Sequence, residues 1–86
     1  MPAAKSMRVQ RRRAARNRSV RSFVRTRVTA ARSAIDQSPS DEATAESLRA
    51  AISALDVATR KGVIHRNQSS RKKSRLTKRL NKALAS

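Results

Sequence analysis

Val20-Arg21-Ser22-Phe23-Val24-Arg25-Thr26-Arg27-Val28-Thr29-Ala30-Ala31-Arg32-Ser33-Ala34-Ile35 decides the fold. Val20, Phe23, Val24, Val28, Ala31 and Ile35 recur at three- and four-residue spacing, the period of one helical face, and Arg21, Arg25 and Arg32 fall elsewhere on the surface. The pattern predicts an amphipathic helix ending near Gln37. Upstream, Arg8, Arg11, Arg12, Arg13, Arg16 and Arg18 sit among helix-favouring residues with little apolar stripe beyond Met7, Ala14 and Ala15. Like charges at that spacing destabilise an isolated helix, so residues 5 to 18 are expected to fray until phosphates screen them.

Downstream, Ser38-Pro39-Ser40-Asp41-Glu42 carries the marks of a helix start. Ser is expected at the N-cap, Pro in the first turn, and carboxylates near the positive end of the dipole. The second helix has Leu48, Ala51, Ile52, Leu55 and Ala58 on its apolar face. It should stop at Arg60-Lys61-Gly62, with cations in the last turn and Gly as a left-handed cap, and Val63 and Ile64 closing the turn. A third helix, starting near Asn67, places Leu76, Leu80, Ala83 and Leu84 on one side and Arg71, Lys72, Arg75, Lys78 and Arg79 around the rest. The expectation is an all-α fold: one domain over residues 1–86, a three-helix bundle with helices at about 5–37, 40–61 and 67–84 and a long, basic, overhanging N-terminal helix.

Composition narrows the function. The chain has 86 residues and a net charge of +17, from 22 Lys and Arg against 5 Asp and Glu. Of its 32 hydrophobic residues 15 are Ala, so the core is thin and a partner is expected to supply part of the folding free energy. The charge is segregated: residues 1–35 carry 11 basic groups and no acidic ones, residues 36–59 one basic and five acidic, and residues 60–86 ten basic and none acidic. Such a chain repels itself and gains by releasing counterions from a polyanion. Arg outnumbers Lys 16 to 6, which suits bidentate phosphate contacts.

Enzymatic chemistry lacks its parts. There is no Cys and no Tyr, and a single His. Asp41, Glu42 and Glu46 are better read as charges complementing a helix dipole than as acid or base. Neither a metal nor another cofactor is expected, since His65 has no nearby ligands. His65 itself has two readings: a ring packed in the turn and satisfied by a backbone carbonyl, or a phosphate or base contact between Lys61 and Arg66. Phe23, the one aromatic residue, is expected in the core. Readers of single strands that use a sheet bearing several rings are excluded, leaving backbone and shape recognition of structured RNA or duplex DNA.

Lys61-Gly62-Val63-Ile64-His65-Arg66-Asn67, continuing Gln68-Ser69-Ser70-Arg71-Lys72-Lys73-Ser74-Arg75-Leu76, resembles a signature of the S-twenty family of bacterial small-ribosomal-subunit proteins. Arg16-Asn17-Arg18-Ser19-Val20-Arg21-Ser22-Phe23-Val24-Arg25-Thr26 is similar to the first-helix signature of that family, and Lys5-Ser6 to its N-terminal start. Residues 7–15 depart most. The resemblance implies a three-helix bundle that binds small-subunit ribosomal RNA directly during assembly, as part of the ribosome in the cytoplasm or in an organelle. It also implies RNA contacts at Arg16, Asn17, Arg21, Ser22, Arg25 and Thr26, and at Lys61, His65, Arg66, Asn67, Arg71, Lys72 and Arg75, with Val20, Phe23, Val24, Leu76 and Leu80 in the core.

The charge pattern extends the expected interface to Lys5, Arg8, Arg11, Arg12, Arg13, Arg18 and Lys73. No small-molecule substrate, membrane or homo-oligomer is expected. A DNA-binding architectural protein is the main rival. It has the same charge but lacks a groove-inserting wedge and a dimer seam. A membrane-surface or targeting segment is the other, suggested by the Arg-rich, acid-free N-terminal third.

Overall fold

The computed structural model of the chain describes residues 2–85, with side chains from Ser6 onward. Within them the chain forms α1 (Pro2–Gln37), α2 (Glu42–Arg60) and α3 (Arg66–Ala85). At about 1.5 Å per residue, α1 is about 54 Å long and α2 about 28 Å, so α1 accounts for most of the 62 Å long dimension of the molecule. It runs unbroken through the arginine-rich stretch, where like-charge repulsion alone predicts a frayed end. The repulsion is a few tenths of a kcal/mol per pair, and Ala, Arg and Gln are good helix formers.

Packing follows one line on each helix. On α1 the buried residues are Val24, Val28, Ala31 and Ile35, separated by four, three and four positions. On α2 they are Thr44, Ala51, Ala54, Leu55 and Ala58, and on α3 Ser69 and Leu76. Ile64, between α2 and α3, completes the core, against which Val20, Leu48, Val63, Leu80 and Ala83 pack half-buried. The small Ala side chains let α1 and α2 approach closely, and these two helices form the principal pair, with α3 laid against both.

Three apolar expectations fail, the first at Ile52, which is only half-buried and lies outside the residues packed on the core. Phe23 is 52% exposed, because one residue before Val24 lies about 100° around the helix from the buried line. Leu84 is equally exposed, near the end of α3 and beyond the last residues packed on the core.

The first connection differs in detail from its sequence reading. Asp41, not Ser38, is the N-cap: its backbone is extended, and its Oδ1 accepts from the Ala43 N–H at 3.1 Å. Pro39 precedes the helix, inside a turn closed by the Asp41 N–H donating to the Ser38 carbonyl at 3.1 Å. The Ser38 carbonyl, together with that of Ala34, also faces the buried Thr44 hydroxyl, which thereby ties the start of α2 to the end of α1.

Candidate nucleic-acid interface

The α2–α3 connection fixes one end of the basic surface. Gly62 has φ +73, the left-handed conformation that glycine adopts without a Cβ penalty. Its N–H donates to the Thr59 carbonyl and the Val63 N–H to the Ala58 carbonyl, each at 3.0 Å, the paired bonds of a Schellman stop. The chain then restarts one residue earlier than expected. His65 is the residue that caps α3: its Nδ1 accepts from the Asn67 N–H at 3.1 Å. The ring is exposed rather than packed in the turn, and its Nδ1 partner is a backbone N–H, not a carbonyl. With Nδ1 accepting, Nε2 is the ring nitrogen left to donate.

Because α2 runs back along α1, this turn lies beside Arg13, Arg16 and Asn17, which form a shallow recess with Lys61, Gly62 and Val63. Pro2 to Arg12, about 16 Å of helix, extend past it as the overhang. Arg8, Arg11 and Arg12 are exposed along that stretch, and Arg18 is exposed further along α1. The side chain of Lys5 lies outside the described residues.

From the turn onward α1 and α3 flank an open groove of about 1000 Å³. Its floor is apolar, with Val24, Val28, Ile64 and Leu76, and its walls are cationic: Arg21, Arg25 and Arg32 from α1 and Lys72, Arg75, Lys78, Arg79 and Lys82 from α3. The spacing on each helix keeps these residues on one side of it, whereas the buried line next to them holds the two helices together. Arg21, Arg25, Lys72 and Arg75, all expected contacts, meet here. Arg32, Lys78 and Lys82 join them without being among the expected contacts. Their signal in the sequence is the continuation of the Arg21–Arg25 and Lys72–Arg75 spacings along the same faces.

Other expected contacts lie elsewhere. Ser22 and Thr26 are exposed on α1, and the Thr26 hydroxyl donates to the Ser22 carbonyl at 3.0 Å. Arg71 and Asn67 are exposed but do not line the groove. Arg66 and Lys73 face a separate recess between α2 and α3, together with Arg60 and Asp56.

The carboxylates moderate this surface. Asp36 receives two hydrogen bonds from Arg79, at 2.8 Å from Nε and 2.7 Å from a terminal nitrogen, the bidentate geometry of a guanidinium on a carboxylate. That bonding, reinforced by the charges of Arg79 and Arg32, holds the Asp36 carboxyl below the usual carboxylate range. Asp56 pairs with Lys73. Both pairs fasten α3 to the other helices, and both occupy a cation that would otherwise be available to an external anion. Among the described residues no three His, Cys, Asp or Glu side chains come together in a way that could hold a metal ion. No described helix is long and apolar enough to cross a membrane.

Comparison with known proteins gives a consistent result. The family model for ribosomal protein S20 matches residues 2–81. Proteins named small ribosomal subunit protein bS20 are similar along nearly the whole chain. The one from Pelotomaculum thermopropionicum is 48% identical over 80 residues, covering 93% of this chain and 90% of its own. That of a Mycobacterium species is 49% identical over 78 residues, covering 91% and 90%. The Thermotoga neapolitana protein is 40% identical over 84 residues, covering 98% and 85%.

Proposed function

The chain belongs to the ribosomal protein S20 family, and from that premise we propose that it grips small-subunit ribosomal RNA directly, with the α1–α3 groove as the principal contact. It is a structural, non-enzymatic component of the small ribosomal subunit. The observation that supports the groove is its wall of cations from two helices facing each other over an apolar floor. A phosphate backbone entering it meets donors from both sides, and each phosphate neutralised releases counterions. Arg supplies most of the α1 wall and can fork onto two phosphate oxygens.

The overhanging Arg8 to Arg18 segment and the recess around Lys61 and His65 extend the same surface, so that one chain can hold RNA segments tens of ångströms apart. The exposed Nε2 donor of His65 and the exposed side chains of Arg66, Asn67 and Arg71 along the start of α3 add to that surface, Arg66 from the recess it shares with Lys73. The acidic α2 keeps the opposite side of the bundle from being coated by RNA. On this reading one copy of the chain works within the ribosome, in the cytoplasm or in an organelle, and needs neither a membrane nor a small-molecule ligand.

A photoactivatable side chain tests the orientation without removing a charge. Gln68 lines the groove and Ser53 is exposed on α2. In assembled small subunits, a cross-linker at Gln68 should yield RNA adducts and one at Ser53 should not. Protein-only adducts from Gln68 would refute the assignment of the groove to RNA.

A further inference from the structure

We propose that Phe23 is a stacking platform for one unpaired nucleobase of the bound RNA, a base contact additional to the phosphate grip. This inference rests on the RNA-binding reading above. The ring is the one aromatic group in the chain, and it stands 52% exposed on α1 although its neighbour Val24 is buried. It adds little to the core. The Arg27 guanidinium lies over it, 5.1 Å from the ring centroid, so a cation covers one face while about half of the residue stays open to solvent.

The position is also separate from the groove. Residues two apart on a helix lie about 200° from each other, so Phe23 lies across the α1 axis from Arg25. A base on Phe23 and a backbone in the groove would therefore hold α1 from opposite sides.

The surroundings select a nucleotide over a protein surface. Arg16 and Arg27, seven residues before and four residues after Phe23, fall on the same stripe of the helix, and α1 has no carboxylate before Asp36. An apolar protein pocket closing over the ring would have to desolvate these guanidinium groups. An unpaired nucleotide instead brings a π-face for the ring and a phosphate for the arginines. Stacking of this kind requires no particular base, since every base has a π-face.

The test uses the full-length chain and a protein-free transcript of the 5′ region of small-subunit ribosomal RNA. The chain has no Trp or Tyr, so Phe23→Trp introduces a single indole. Its emission should be quenched on RNA binding, with affinity equal to or above that of the wild type. Phe23→Leu retains apolar bulk and helix propensity but removes the ring face. It should weaken binding by at least about fivefold, with an unchanged salt slope because Arg16 and Arg27 remain in place to hold the nucleotide's phosphate.

Unquenched indole emission from the Phe23→Trp variant, together with wild-type affinity for Phe23→Leu, would overturn the stacking proposal while leaving the groove intact. That outcome is also expected if the ring docks on a neighbouring protein. Failure of the wild-type chain to bind the transcript would refute the RNA-binding reading itself, and the stacking proposal with it.

Discussion

Removing Arg21 and Arg75 together should change how steeply RNA binding depends on salt, by an amount the groove geometry specifies. The two residues come from facing walls, one on α1 and one on α3. Leaving aside Arg79, which is bound to Asp36, and Lys82 at the far end, the groove presents Arg21, Arg25, Arg32, Lys72, Arg75 and Lys78. If each neutralises one phosphate, the groove's share of the slope of log affinity against log salt is about −5.4, at about 0.9 per phosphate, and contacts on the overhang add to it. Raising salt from about 50 to about 200 mM weakens binding about 1,800-fold through that share alone. With Arg21→Ala and Arg75→Ala combined the share falls to about −3.6, and the same change in salt then weakens binding through it only about 150-fold.

Filter binding or fluorescence anisotropy over a salt series reads both slopes, with Arg49→Ala on α2 as a control that should leave the slope unaltered. A double variant that loses affinity at an unchanged slope would refute the claim that these guanidinium groups contact phosphates. Arg71→Ala lies outside the groove, so it should also lower the slope, by about one unit, only if RNA wraps past the rim.

Three further predictions concern the scaffold. Leu55 is fully buried between the helices, and Leu55→Ala should cost about 2 to 5 kcal/mol in urea unfolding, a large share of what an 86-residue chain has. Gly62→Ala should cost about 1 to 2 kcal/mol from the left-handed backbone alone, since no atom lies within 4 Å of the added Cβ, and Gly62→Asn should cost less. The Asp36–Arg79 contact should give way in acid. Because folding depresses the Asp36 value, its contribution is present above the ordinary carboxylate value of the unfolded chain and is lost as pH falls through the lower, folded one. Wild type and Asp36→Asn should therefore differ in melting temperature at neutral pH and converge in strong acid.

The helix count was legible because Gly62 and Pro39 interrupt an otherwise helical pattern, and the segregation of charge marked the acidic middle element. The position of Phe23 was less so. Spacing by threes and fours admits two lines on α1: Val24, Val28, Ala31 and Ile35, or Phe23, Arg27, Ala30 and Ala34. Arg27 on the second line was the signal that it faces outward. His65 as a cap was hidden because His is not among the residues that usually cap helices, and only its geometry reveals the Nδ1 acceptor. Asp41 and Ser38 are equally good caps by type. The choice between them rests on Thr44, whose hydroxyl reaches carbonyls six and ten residues back. The groove depends on which faces of α1 and α3 are turned toward each other, and the Asp36–Arg79 pair joins residues 43 positions apart. Neither is a local property of the sequence.

The central claim is direct recognition of small-subunit ribosomal RNA, and the most direct measurement is binding of the purified chain to the 5′ region of that RNA with duplex DNA as competitor at equal salt. The account predicts tight binding that survives an excess of DNA, and a salt slope that falls by about two units in the Arg21 and Arg75 double variant. Displacement by DNA at equal concentration, with no preference for RNA, would contradict it and leave a generic basic surface in its place.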